Sequence, residues 1–221
     1  MRSLNTGDLF YLLLAARWTV LLSLIAFAGG GAVGLGIALL RVSQARLPRW
    51  FAIGFIRVFQ GTPLLLQLFL VFFGGDMIGI PLGAWLSVVL GLSLNAGAFL
   101  GEIWRGAIQS VPNGQIEAAR ALGLHYGARM LRVVFPQAMR IAIPPTVGFL
   151  VNLIKSTSLA AIIGFVELTR AGQLMVNVTF EPMVVYPLVA ALYFAMCWPL
   201  SLLGRFLEKG IDANLGVKRH L

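Results

Sequence analysis

"GQIEAARALGLHYGARMLRVVFPQA", residues 114–138, decides how the rest of this 221-residue chain is read. It carries Glu117, Arg120, Arg129 and Arg132, whereas the whole chain is 59% hydrophobic and only 11% charged. Soluble domains carry roughly 25% charged residues, so the segment is a polar interruption of a membrane protein. Gln115 to Val134 is rich in strong helix formers. Gly123 and Gly127 weaken its middle, and Pro136 is expected to close its end. Two short helices at an angle are therefore expected. Asn113 or Ser110 is placed to cap the first, and Glu117 in the first turn suits the helix dipole. Ala118, Ala119 and Ala121 give that helix a slim body. Two uses fit: an amphipathic helix lying at lipid headgroups, or a slim helix that enters a partner's groove.

Outward from this segment lie apolar runs. A span needs about 20 mostly apolar residues. The runs at 18–40, 51–75, 82–108, 141–166 and 182–204 meet that length and flank a polar loop at 109–138. The first, Trp18–Leu40, exceeds the apolar core of about 7–15 residues found in a signal peptide, so it reads as the first of several spans, with a lead-in at 9–16. The expected fold is an all-α integral membrane domain covering 1–221, with about five transmembrane helices and short cytoplasmic helices. No internal repeat or linker divides it. Gly30 and Gly34 in the first run have the small-xxx-small spacing of close helix packing, which also suits a contact with a second membrane subunit.

The net charge is +9. In a soluble chain that balance suggests nucleic acid; here it reports topology. With five spans, segments 41–57, 105–140 and 205–221 share one side. They hold 13 of the 17 basic residues: Arg41, Arg46, Arg49, Arg57, Arg105, Arg120, Arg129, Arg132, Arg140, Arg205, Lys209, Lys218 and Arg219. Arg2, Arg17 and Arg170 fall on the other. The positive-inside rule then puts the C-terminus and the 109–138 loop in the cytoplasm and the N-terminus outside. Residues 76–81 and 167–181 are the expected external loops. Cys197 reads as a small packing residue, and His125 and His220 form no metal cluster. No metal or cofactor is expected, and no nucleic acid partner.

"GQIEAARALGL" followed by "VVFPQAMR" resembles the cytoplasmic EAA loop of ATP-binding-cassette (ABC) importer permeases, through Glu117, Ala118, Ala119, Gly123 and Pro136. "FQGTPLLLQLFLVFFG" (59–74), "GEIWRGAIQSVPNGQIEAARALGL" (101–124) and "NLIKSTSLAAIIGFVELT" (152–169) are similar to the polar amino acid branch of that superfamily. The resemblance covers most of 50–170. It implies a type I importer permease whose EAA helix docks on a cytoplasmic ATPase, with Gly114, Glu117, Ala118, Ala119, Arg120, Gly123 and Pro136 as the coupling set. It implies as partners a second permease subunit, identical or homologous, two ABC ATPase subunits and an external solute-binding protein. It also implies a bacterial inner-membrane location and a polar amino acid as substrate.

Polar residues inside the spans have two readings each. Gln60, Thr62 and Gln67 lie in or near the second run with Pro63, which is expected to bend it. Gln60 and Gln67, seven residues apart, are expected on one helical face. They and Asn95 fit either a lined passage or interhelical glue. Glu102 and Arg105, an i,i+3 pair, read as a structural ion pair. Lys155 lies 15 residues past Arg140, about 22 Å along a helix, where a charge costs roughly 3 kcal/mol. It either snorkels to the interface or meets substrate in the passage. Ser156, Thr157 and Ser158 beside it either coordinate an amino acid's charged groups or bond to the helix backbone. Similar permeases often carry Asp or Asn directly after this lysine. Ser156 here removes a carboxylate that would suit a cationic substrate.

"LIKST" lacks both glycines of a P-loop, so ATP hydrolysis is expected on a separate subunit and the chain is not expected to be an enzyme. A stand-alone secondary transporter is the alternative; such proteins often carry inverted repeats. A membrane scaffold using the same loop is a further one.

Overall fold

A computed structural model of the protein describes residues 5–43 and 45–215, with side chains through Gly210. Arg2, Lys218, Arg219 and His220 lie outside the described residues. Among the described residues the fold is built from helices, starting with α1, Thr6–Val42. Asn5 precedes it, and its backbone N–H donates to Asp8 Oδ2 at 2.8 Å. At 37 residues α1 is about 55 Å long, well beyond the roughly 30 Å hydrocarbon core. The expected lead-in and first span are thus one helix.

α1 runs along α4, Gly83–Gln109, and small residues set how closely. A Cβ on Gly30 would stand 2.4 Å from the Ala96 Cβ, and one on Gly97 2.5 Å from Val33 Cγ1. Gly30 and Gly34 are therefore spent on a contact within the chain. α4 is the most buried of the long helices. Leu92, Ala96 and Leu100 on it meet Leu22 and Ala26 of α1, with Leu68, Phe149 and Leu153 completing the core.

The run expected as one span at 51–75 is two helices: α2, Arg46–Gly61, and α3, Leu64–Met77, which meet at 104°. Proline explains the break. It forces its predecessor out of the helical region, and Thr62 is extended at φ −116°, ψ 145°. α2 buries Ala52 and Ile56 against Ile37. Its other face exposes Arg46, Arg49 and Arg57 beside Trp50 and Phe51, the composition of a helix lying at an interface.

After α4 come α5, Asn113–Ala121, and α6, Tyr126–Arg129. Neither Ser110 nor Asn113 caps α5. Its N-cap is Pro112, and the Ser110 hydroxyl donates instead to the Gly106 and Ala107 carbonyls ending α4. Pro136 does not end the second short helix either. α6 passes through a π-helical turn, Met130–Val134, into α7, Phe135–Ser156. Phe135 N–H bonds to the Met130 carbonyl. The widened turn lets a residue without an N–H enter the first turn of α7 at no cost in bonding.

α7 tightens into a 3₁₀ stretch, Thr157–Ile163. Residues 167–181, expected as an external loop, hold α8, Leu168–Thr179. Leu168, Ala171 and Met175 on it pack against Leu12 and Ala15 of α1 and against Val185 and Val189 of α9, Pro182–Leu215. Four stretches among the described residues are long and apolar enough to cross a membrane: Thr6–Val42, Gly83–Gln109, Tyr126–Ile163 and Pro182–Gly210. The bent α2–α3 pair makes a fifth if counted as one span. Exposed Leu13, Leu24, Phe194, Trp198 and Phe206 on α1 and α9 are surface that only lipid or another apolar chain covers well.

Candidate functional site

The polar segment presents one face and anchors the other. Ala119 is buried, and Ile116 packs with Ala107, Val111, Val134 and Ala138 at the feet of α4 and α7. Gly114, Glu117, Ala118 and Arg120 are exposed. Among the described residues Glu117 and Arg120 make no side-chain hydrogen bond or ion pair. Gly123 ends α5 at φ +74°. Its N–H bonds to the Arg120 carbonyl and that of Leu124 to the Ala119 carbonyl, the two bonds of a Schellman turn that needs a left-handed residue. His125 then caps α6: Nδ1 accepts from the Ala128 N–H at 3.4 Å. Arg129 lies over the Tyr126 ring at 5.5 Å. Pro136 is exposed on α7, beyond the turn.

The membrane-embedded polar residues are tied to one another. Gln67 is buried, and its Nε2 donates to the Phe59 carbonyl (2.8 Å), the Thr62 carbonyl (3.0 Å) and Thr62 Oγ1 (2.9 Å). Asn95 Nδ2 donates to Gln67 Oε1 at 3.0 Å and to the Phe59 carbonyl at 3.2 Å. The acceptors include carbonyls orphaned where α2 stops, so two side-chain amides satisfy the broken backbone in place of water. Gln60 stays on α2, exposed, with Nε2 donating to the Ala98 carbonyl at 3.2 Å. The shared face expected for Gln60 and Gln67 is absent because the chain turns between them.

On α4, Arg105 Nε donates to Glu102 Oε2 at 2.9 Å, and a second guanidinium nitrogen reaches Oε1. Arg105 also bonds to Gln109. Lys155 is exposed near the end of α7. Ser156 donates to the Asn152 carbonyl (2.9 Å), Thr157 to that of Ile154 (2.7 Å) and Ser158 to that of Lys155 (2.7 Å). The Ser156 and Ser158 hydroxyls keep lone pairs free to accept, but Thr157 is fully buried, which takes it out of the expected path set.

Sequence reasoning missed Glu167, which is fully buried. It caps α8 by accepting from Thr169 N–H and Arg170 N–H, both at 2.9 Å, and from the Tyr193 hydroxyl at 2.7 Å. Thr19 of α1 accepts from Leu168 N–H at 3.1 Å, completing the junction of α1, α8 and α9. Burial pushes the Glu167 carboxyl above the ordinary carboxylate range, against the opposing pull of these donors.

Residues 30–216 match the family described as "Binding-protein-dependent transport system inner membrane component". The probable amino-acid ABC transporter permease protein YckA of Bacillus subtilis is 39% identical over 199 residues, covering 90% of this chain and 88% of that protein. The L-cystine transport system permease protein TcyB of the same organism is 37% identical, covering 88% and 84%. The nopaline transport system permease protein NocM of Agrobacterium fabrum is 37% identical, covering 92% and 89%. Among solved structures, a crystal structure of an amino acid ABC transporter with histidines superposes with a TM-score of 0.88 at 31% identity, covering 94% of this chain and 99% of that one. The inward-facing MetNI methionine ABC transporter shares the fold, with a TM-score of 0.80 at 19% identity. The helical architecture, the EAA-like segment and relatives matched along most of their length agree, and the chain belongs to the binding-protein-dependent transport system inner membrane component family, whose members are transporter permeases.

Proposed function

We propose that this chain forms half of the membrane passage of an ABC importer for polar amino acids, and that α5 couples the passage to a separate ATPase subunit. One observation carries the coupling reading: α5 exposes Gly114, Glu117, Ala118 and Arg120 on one face while Ile116 and Ala119 root its other face in α4 and α7. A subunit gripping the exposed face moves both helices. Gly123 shapes the turn behind that face, and the π-helical turn carries the chain past Pro136 into α7.

Two such subunits enclose the path, two ATPase subunits lie beneath, and an external binding protein delivers substrate from above. The α5 side lies in the cytoplasm, the C-terminus with it and the N-terminus outside, a reading supported by the distribution of basic residues. Transport follows alternating access, with ATP and substrate each favouring one of two states. The names of the similar permeases support an amino acid as cargo. Of the candidate path residues, Gln60, Thr62, Gln67 and Asn95 shape the elbow that walls the path. Lys155 faces the path with an ammonium suited to a substrate carboxylate, and Ser156 and Ser158 offer acceptor oxygens beside it, whereas Thr157 is fully buried and serves packing instead.

The test is reconstitution with the cognate ATPase and binding protein in liposomes, scanning labelled amino acids. ATP-dependent uptake is expected, and Lys155→Met should lower it while leaving complex yield intact. Uptake driven by an ion gradient without ATP would instead identify a secondary transporter. Normal uptake with reduced yield of the Lys155→Met complex would make that lysine a packing residue.

A further inference from the structure

α1, α4 and α7 leave a trough between them. Leu35 and Leu39 of α1 face Phe135, Met139 and Ile143 of α7 across a cavity of about 480 Å³. Two polar side chains in its wall satisfy each other, Trp104 Nε1 donating to Thr146 Oγ1 at 3.0 Å. Such a wall suits hydrocarbon and penalises a polar solute. From Phe135 to Val147 it extends about 18 Å, against about 15 Å for half of a roughly 30 Å bilayer core.

The trough does not end in apolar surface. Ile108 lines it and also lines the next cavity, of about 360 Å³, bounded by Arg41, Arg49, Arg120 and Arg129. Among the described residues no Asp or Glu lines either part. Arg41 Nε is buried without a hydrogen-bond acceptor; Glu102 Oε2 stands 3.9 Å away and is already bonded to Arg105. Arginine side chains thus line one end of a hydrocarbon-lined groove.

We infer that this trough holds an anionic phospholipid of the leaflet on the α5 side. An acyl chain lies between α1 and α7, and the phosphate sits among Arg41, Arg49 and Arg129. Guanidinium groups bind phosphate oxygens in pairs, and basic pockets between membrane helices select anionic headgroups. An acidic protein surface would answer the arginines but leave the apolar length of the groove empty. Only the naming of the leaflet as cytoplasmic rests on the orientation proposed above.

The experiment uses the intact transporter complex in phosphatidylcholine nanodiscs containing a phosphatidylglycerol probe with a diazirine on its acyl chain. Photolabelling mapped by mass spectrometry is expected at Leu35, Met139 and Ile143, and unlabelled phosphatidylglycerol should compete it away. The matching phosphatidylcholine probe should label about tenfold less, as should the phosphatidylglycerol probe on the Arg41→Gln/Arg49→Gln variant. Ala32→Trp, which fills the groove from an exposed position, should block labelling with every arginine in place. Equal labelling by the two probes overturns the inference, because no headgroup is then read. Absence of label in the intact complex overturns it too, because another subunit then covers the groove. Unchanged labelling of the double arginine variant together with loss of its ATPase subunit assigns the arginines to that partner and also overturns it.

Discussion

The elbow between α2 and α3 and the exposed helix α5 are both polar interruptions of an apolar chain, and they spend their polar groups in opposite ways. At the elbow, Gln67 and Asn95 direct their amides at backbone carbonyls and at each other. On α5, Glu117 is exposed with no side-chain partner among the described residues, while Ile116 and Ala119 hold the helix down. In hydrocarbon a polar group without a protein partner is costly, so polarity there is consumed by the fold. At the water boundary it costs little and stays available to another molecule. Residue type alone does not separate the two cases; surroundings do.

That contrast breaks most directly at Gln67. Gln67→Leu leaves the Thr62 carbonyl and part of Asn95 without their partner, at about 1–3 kcal/mol for each orphaned group. The expected result is a large fall in the thermal midpoint of the detergent-solubilised complex, with uptake per surviving complex retained. A midpoint equal to wild type would show that the elbow is held by something other than the amides. Glu117→Lys should do the reverse. Thermal stability stays near wild type while ATP-driven uptake falls by about tenfold, the scale of a coupling energy of 1–3 kcal/mol. Undiminished uptake in that variant would remove α5 from the coupling role.

Gly123 sharpens the comparison because it belongs to the shape of the segment as well as to its exposed face. With φ at +74°, Gly123→Ala costs about 1–2 kcal/mol, whereas Gly123→Asn tolerates the left-handed conformation. Hydrogen exchange over α5 should rise for the first and stay near wild type for the second. Similar exchange in both would mean that side-chain bulk, not backbone shape, matters there. Glu167 gives the smallest effect. Its pKa is raised in the folded state, so the stability tied to its protonated form is complete below the ordinary carboxylate range. That part is lost as pH rises through the raised value. Glu167→Gln should flatten this slope in a plot of thermal midpoint against pH, and an unchanged slope would place the titrating group elsewhere.

Much of the architecture was legible because burial in lipid writes itself as length. The apolar run at 18–40 lies inside Thr6–Val42, and the run at 82–108 lies over Gly83–Gln109. The elbow was half legible: Pro63 announced a bend, but hydropathy ran straight through Gly61 and Thr62 and hid a turn of 104°. α8 stayed hidden because its 12 residues are too few for a span and mix polar with apolar positions. Pro136 misled because its local rule is helix termination, and the π-helical turn that relieves it is not encoded by any single residue. Glu167 was invisible as the buried hub of three helices because Thr19 and Tyr193, which bond to it there, are 148 and 26 positions away. The EAA-like string marked the exposed segment at once, since it is local; the trough beside it required three helices to be set side by side.

The uninterrupted course from Tyr126 through Ile163 has a mechanical implication. Its 38 residues make a strut about 57 Å long, with its base beside α5 and Lys155 near its far tip. A small tilt at the base is magnified at the tip, and Pro144 and Pro145 in its interior are where such a strut would flex. On the coupling role proposed for α5, any stroke reaching Lys155 would therefore be governed as much by the stiffness of that double-proline joint as by the distance travelled at the base.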